Sequence, residues 1–457
     1  MDMTRREFCK GSAGLAGILA AGAAPSLYAA GANSRINVAC IGFSDRFRHS
    51  LLPSFIAHKD RLNFDMVAVA DLWKKRLHEE AVPTLKEKLG HDVKAYASDE
   101  ELYATAKDVD AVIISTADFQ HAQHATHAVR AGKDVYTEKP MAEDMYSANM
   151  LLDAVNEKRK AGFAPGAVLQ IGSQRRSGPA YHGAKKYLES GAFGDISFVD
   201  LCWNVNQNRR WRRKEEYVAS LKEEDTNWKM WLLDRPYEKF DPRKYLEFRL
   251  FWPYSSGIPG QWMCHQIDTV SWFTGLAYPK SAVASGGLYQ WDDGRQSFDT
   301  FTTILEYGPS KLNARGFQAI FASRQTNSAR GNVEKYYGTN GTIDLIKGVV
   351  SDEGKSKDFT AKTVVNETPL PVQQEAVVTA ANTGADKLTL AHVGNWMECV
   401  RARKDPNAPV EAGYGHSIAL IMSNAACRTG LRATFDPQSR QVLAGGKVWT
   451  GYKSTQA

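Results

Sequence analysis

The sequence predicts an α/β domain with a doubly wound parallel sheet, followed by an α+β domain with a large, mostly antiparallel open sheet. Three observations lead there. Short apolar, β-branched runs between residues 36 and 172 end in glycine or an acid and alternate with helical stretches. Beyond residue 175 the runs lengthen and alternate apolar with polar, as half-buried antiparallel strands do. The 457-residue length exceeds one ordinary core and calls for two domains.

The first 32 residues stand apart. Thr4-Arg5-Arg6-Glu7-Phe8 and Lys10 precede a small-residue, weakly apolar run from Gly11 to Ala24, with a small-residue site near Ala29 to Ala32. A charged start, a short apolar stretch and such a site describe an export signal. The run is too short and too rich in glycine and alanine for a membrane span. Its paired arginines resemble the twin-arginine signal, which exports folded proteins. The mature chain is therefore expected in the periplasm or otherwise outside the cytoplasm.

Strands are expected at Ile36–Gly42, Met66–Asp71, Ala111–Ser115, Val135–Thr137 and Val168–Gly172, with helices at His121–Arg130 and near Glu143–Lys160. They place a dinucleotide-binding domain at residues 33–160. A substrate and oligomerisation domain at 161–385 is expected from strands at Ile196–Trp203, Ala282–Tyr289, Thr300–Tyr307 and Gly316–Phe321. The Tyr336–Thr342 stretch carries a hairpin signal. Ser351–Thr363 reads as a surface loop. Helices at Leu388–Arg403 and Ser417–Leu431 belong to a last segment, 386–457, packing back on the core.

The formal charge of +6 is mild for this length and argues against a nucleic-acid partner, which normally meets a concentrated basic stripe. Cys40, Cys202, Cys264, Cys399 and Cys427 have neither disulfide-framework nor zinc spacing, and no metal is expected.

Gly42 opens the turn after the first strand, where a dinucleotide fold cradles its pyrophosphate. Gly42, Ser44, Asp45 and Arg46 form that turn, but Ser44 and Phe47 stand where the second and third glycines of G-x-G-x-x-G belong. A plain βα turn fits this eroded pattern as well. Asp71 ends the second strand, where an acid hydrogen-bonds the adenine ribose and repels a 2′-phosphate, favouring NAD over NADP. Lys74, Lys75 and Arg76 nearby leave room for a phosphate, and a capping aspartate is the plain alternative.

Ser115-Thr116-Ala117-Asp118-Phe119-Gln120-His121 and Glu138-Lys139-Pro140 follow strands of the same sheet at their carboxyl ends, where open α/β sheets bind ligands. With A-G-K-D-V-Y-T-E-K-P at 131–140, Q-I-G-S-Q-R-R-S at 170–177, F-W-P-Y-S-S-G at 251–257, H-Q-I-D at 265–268 and G-L-Y-Q-W-D-D-G-R at 287–295, the chain resembles the Gfo/Idh/MocA family of oxidoreductases. The resemblance implies a Rossmann-type first domain and NAD lying along Ser115, Thr116, Asp118, His121, Glu138, Lys139 and Gln174. It implies that Lys139 is the catalytic lysine, with a cis Lys-Pro bond, and that the chain forms a homodimer or homotetramer. The family's D-x-x-x-H element falls on residues 261–265, where Gln261 replaces the acid. Glutamine cannot titrate, which leaves His265 as the candidate base.

Seven of the eleven tryptophans lie between Trp203 and Trp272, and aromatic faces suit the C–H groups of sugars. Trp228, Trp231, Tyr254, Gln261, Trp262 and Asp268 are the expected substrate contacts, although core packing claims at least half of such tryptophans. Arg209-Arg210-Trp211-Arg212-Arg213-Lys214 could meet an anion, though a solvated loop is the plainer reading. The expected function is oxidation of a sugar or glycoside ring hydroxyl by tightly bound NAD that is recycled in place. A redox-assisted glycoside hydrolase and a non-catalytic sugar-binding protein on the same scaffold are the alternatives.

Overall fold

The computed structural model describes residues 34–161, 166–207, 209–354, 368–369 and 386–451. The expected export signal, and the surface loop from residue 355 onward, lie outside the described residues.

Six strands form the first sheet: β1 (Ile36–Ile41), β2 (Phe64–Ala70), β3 (Lys94–Tyr96), β4 (Ala111–Ile114), β5 (Asp134–Thr137) and β6 (Leu169–Ile171). Their order is β3-β2-β1-β4-β5-β6 and every pairing is parallel. β4 is buried along its whole length, as the middle of a sheet covered on both faces must be. Burying Ile113 and Ile114 contributes roughly 1.5–3 kcal/mol each. The covering helices are α1 (Leu52–Leu62), α2 (Val82–Leu89), α3 (Asp99–Thr105), α4 (His121–Arg130) and α5 (Met145–Lys160). Ser98 caps α3 and Asp144 caps α5, each accepting from the backbone N–H three residues on. Strand β3 escapes a sequence reading because it is three residues long, half exposed and at the sheet edge.

The strand ends align, and this alignment builds the site. Gly42 N donates to Ala70 O at 2.9 Å, Ser115 N to Ile41 O at 3.0 Å, Glu138 N to Ile114 O at 3.0 Å and Gly172 N to Thr137 O at 2.8 Å. Residues far apart in sequence thus leave the sheet side by side along one edge. The order reverses between β1 and β4, the switch point where such sheets open a crevice.

After helix α6 (Pro179–Glu189) the second sheet comprises β7 (Ile196–Trp203), β8 (Ser281–Gly287), β9 (Thr300–Tyr307), β10 (Phe317–Arg324), β11 (Asn332–Gly338), β12 (Gly341–Asp344), β13 (Val349–Ser351), β14 (Thr368–Pro369), β15 (Ala433–Asp436), β16 (Gln441–Ala444) and β17 (Lys447–Val448). These eleven run in the order β14-β13-β12-β11-β7-β10-β9-β8-β15-β16-β17, and only β7 and β10 pair in parallel. β9 alternates buried and half-buried along all eight residues. The expected hairpin closes at Gly338 and Gly341 around Thr339-Asn340.

Helix α7 (Cys264–Thr274) lies beneath this sheet, while α8 (Lys387–Ala402) returns to the first domain, where Trp396 packs on Phe64 at 6.4 Å. The last segment is thus shared: α8 covers the parallel sheet, and β15 to β17 extend the antiparallel one. Helix α9 (Val410–Thr429) begins seven residues before the expected Ser417. Gly413 and Gly415 mask its first turns in sequence but serve packing. A Cβ at Gly413 would lie 2.6 Å from Met141 Sδ, and one at Gly415 would lie 2.4 Å from Ala277 O. Among the described residues no helix is long and apolar enough to cross a membrane.

Candidate active site

A cleft of about 630 Å³ opens along the aligned strand ends and is roofed by the second domain. It brings together Gly42, Ser44, Asp45, Arg46, Asp71, Ser115, Thr116, Asp118, His121, Glu138, Lys139, Gln174, Trp231, Gln261, Trp262 and His265.

The glycine turn is closed tightly. Gly42 has φ 83°, and a Cβ there would fall 2.7 Å from Thr116 Cγ2. Ser44 shares a short hydroxyl contact with Ser115, taking the place of the missing second glycine. Phe47, at the third glycine position, is fully buried against Phe43 at 5.7 Å. The chain there is wound as a wide π turn, Phe47–Leu51, before α1 begins. Asp71 accepts from Phe43 N and Trp73 N, both at 2.9 Å, so it ties the glycine turn to the end of β2. Arg76 lies 3.8 Å from it.

Glu138 pairs with Arg46 at 2.8 Å. Burial pushes its carboxyl up, but Arg46 and Lys139 outweigh this and hold it below its ordinary value. The Lys139-Pro140 bond is cis. Three side chains grip this segment: Pro140 O accepts from His121 Nδ1 at 2.8 Å, Met141 N donates to His416 Nε2 at 3.2 Å, and Ala142 N donates to Ser417 Oγ at 3.1 Å. Lys139 Nζ donates to Gln261 O at 2.8 Å, which anchors it to the turn preceding α7.

His265 sits on the first turn of α7, half-buried beside Trp203 with ring centroids 5.9 Å apart. Among the described residues its imidazole has no hydrogen-bond partner. Burial, then the charges of Lys139, Arg175 and Arg46, hold it well below the ordinary histidine value. It is therefore neutral at neutral pH and able to accept a proton. Gln261, in the place of an acid, donates to Asp118 Oδ2 at 2.5 Å and accepts from Arg249 Nε at 2.9 Å. A glutamine bridges these opposite charges; an aspartate would face Asp118 as a like charge. Next to it Glu143 is pushed up to about 8 by burial and by Asp118.

The structure does not bring every expected contact to this cleft. Trp228 is buried in a cluster with Trp231, 4.8 Å away and stacked, and its Nε1 donates to Glu238 O. Tyr254 is buried in the same cluster, its hydroxyl on Glu238. Asp268, one turn beyond His265, faces the core, where it binds Arg176 Nε at 2.8 Å and lies 3.7 Å from His416 Nδ1. The aromatic wall is instead Trp262, stacked on Trp203 at 6.0 Å and tilted against Trp211 at 5.5 Å. Trp203, Arg175 and Arg249 join the cleft without a local sequence signal; Arg210 and Arg213 come from the basic run at 209–214.

The cleft also leaves polar groups free for a ligand. Thr116 Oγ1, His121 Nε2 and Gln174 Oε1 are buried in residues that line it and, among the described residues, have no hydrogen-bond partner. Residues 36–165 match the sequence profile of the oxidoreductase family with an NAD-binding Rossmann fold. This stretch belongs to the Gfo/Idh/MocA family. The chain is 27% identical over 183 residues to oxidoreductase P35 of Formosa agariphila, covering 40% of this chain and 52% of that protein. Levoglucosan dehydrogenase of Pseudarthrobacter phenanthrenivorans is 36% identical over 119 residues, 25% of this chain and 29% of the relative. The chain thus spans about half the length of one relative and under a third of the other. Among solved structures, levoglucosan dehydrogenase with NADH and levoglucosan superposes with TM-score 0.62 at 16% identity, covering 88% of this chain and 99% of that one. The WlbA dehydrogenase of Bordetella pertussis with NADH and UDP-GlcNAcA gives 0.60 at 18%, covering 88% and 98%. These likenesses establish the fold beyond the Gfo/Idh/MocA domain.

Proposed function

We propose that the protein is an NAD-dependent oxidoreductase that oxidises a ring hydroxyl of a sugar or glycoside. The observation that carries this reading is the pairing, on one cleft wall, of a tethered lysine with an unpartnered, neutral histidine. Bound NAD supplies the hydride acceptor. Gly42 to Arg46 would lie under its pyrophosphate, Asp71 beside its adenine ribose, and Ser115, Thr116, His121 and Gln174 along its length. His265 takes the hydroxyl proton, and the Lys139 ammonium steadies the developing alkoxide. Trp262, backed by Trp203 and Trp211, offers the flat apolar face on which a pyranose ring rests. The levoglucosan and inositol dehydrogenases among its relatives support a carbohydrate substrate.

The amino-terminal sequence supports export, and an exported dinucleotide enzyme must hold its cofactor tightly and recycle it. Denaturing the purified protein and assaying the supernatant tests this: NAD should be released in near-equal amount to protein. Adding sugars to the native protein should then reduce the bound nicotinamide. Absence of both NAD and reduction would overturn the reading. Cleavage of aryl glycosides in deuterated water, with deuterium at carbon 2, would redirect it to redox-assisted hydrolysis.

A further inference from the structure

We propose that Arg210 and Arg249 form an anion subsite at the reacting end of the cleft, so that the sugar oxidised here carries a carboxylate, sulfate or phosphate. This rests on the carbohydrate oxidoreductase reading and narrows its substrate class.

Most arginines of the cleft already face an acid. Arg46 pairs with Glu138, Arg175 with Glu334, Arg212 with Glu247 and Arg213 with Asp45. Arg210 and Arg249 are different. Arg249 donates from Nε to the neutral amide of Gln261 at 2.9 Å, and among the described residues its Nη atoms donate to nothing. Arg210 reaches the amide oxygen of Gln207, lies over the Trp262 ring at 5.5 Å, and has a buried Nε that meets no partner among the described residues. Neither guanidinium has a carboxylate within ion-pair distance among the described residues. Burial and the charge of Arg249 push Arg210 down to about 10, and burial lowers Arg249 as well. Two like charges sharing a cleft are relieved by an anion held between them.

Their position selects the substrate over the cofactor. Gln261 and Trp262, which touch the two guanidiniums, lie on the turn that also anchors Lys139 and leads into His265. The glycine turn that would cradle a pyrophosphate has Arg46 and Arg213 instead. The backbone is bent to present Arg210. Its neighbours Arg209 and Trp211 adopt φ of 58° and 69°, unfavourable for residues with side chains, while Arg295 Nη2 holds the Arg210 carbonyl at 3.2 Å.

The test uses the NAD-loaded protein with glucose, glucuronate, glucose 6-sulfate and glucose 6-phosphate, reading nicotinamide reduction and quenching of tryptophan fluorescence. At least one anionic sugar should show a KM or Kd about tenfold or more below glucose, the effect of roughly 1.4 kcal/mol. The preferred anion identifies the group. In the double variant R210M/R249M the anionic preference should collapse towards one, and R210K/R249K should keep part of it. Equal use of neutral and anionic sugars, or an undiminished preference in R210M/R249M, overturns the subsite. Quenching does not require turnover. Selective, arginine-dependent binding of glucuronate without nicotinamide reduction would uphold the subsite and refute the oxidoreductase reading.

Discussion

Replacing Gln261 with aspartate restores the acid of the D-x-x-x-H pattern, and the structure predicts that this harms the protein. The Gln261 amide donates to Asp118 Oδ2 while accepting from Arg249. Aspartate loses the donor and places a second carboxylate roughly 4 Å from Asp118, a repulsion of about 4 kcal/mol at an effective dielectric near 20. Attraction to Arg249 offsets most of this. The lost hydrogen bond to a charged acceptor is then the net deficit, about 2 kcal/mol. Q261D should therefore melt roughly 4–8 °C below the wild type at pH 8. The new carboxyl has a raised folded-state pKa. Its share of stability is intact below the ordinary carboxyl range and lost as pH rises, so the deficit should shrink near pH 5. Melting followed by circular dichroism at both pH values measures this. Equal melting temperatures at pH 8, or faster sugar oxidation by Q261D, would refute the reasoning.

Three further outcomes are expected. Because burial and Lys139 hold His265 well below the ordinary histidine value, turnover should stay level as pH falls through about 6.5 and drop only beyond it; H265N should lose roughly 10²–10⁴-fold in kcat. Glu143, raised from about 4.5 to about 8, ionises later folded than unfolded, so it lowers stability progressively between those values; E143Q should flatten that slope and melt higher than the wild type at pH 8, but not at pH 4. W262A should raise the sugar KM about tenfold, whereas W228A, in the buried cluster, should lower the melting temperature instead.

The first sheet was legible because its main strands are short apolar runs ending at residues that line the cleft: Gly42 after β1, Asp71 after β2, Ser115 after β4, Glu138 after β5. Register then did the rest, since parallel pairing aligns those ends without long-range information from sequence. Lys139 and His265 were legible from motifs. The aromatic wall was legible only in part: Trp231 and Trp262 line the cleft as expected, and Trp228 and Tyr254 do not. Trp228 and Tyr254 sit in loop-like sequence, yet they belong to a separate small core of thirteen buried residues, and nothing local distinguishes Trp228 from Trp262. Arg249 was hidden for the same reason: its role depends on the amide of Gln261 and on lacking an acid, both tertiary facts. Asp268 lies one turn beyond His265 on the same helix, but its carboxylate is taken by Arg176, 92 residues away in sequence, a tertiary pairing that no local pattern announces.

The most direct test of the account is a single turnover of NAD-loaded protein with a sugar that reduces it, comparing wild type with K139M. Lys139 is predicted to act on the reacting oxygen and not to hold the cofactor. K139M should therefore retain NAD at wild-type stoichiometry while nicotinamide reduction slows by roughly 10²–10⁴-fold. Reduction at the wild-type rate in a cofactor-loaded K139M protein would contradict the central claim.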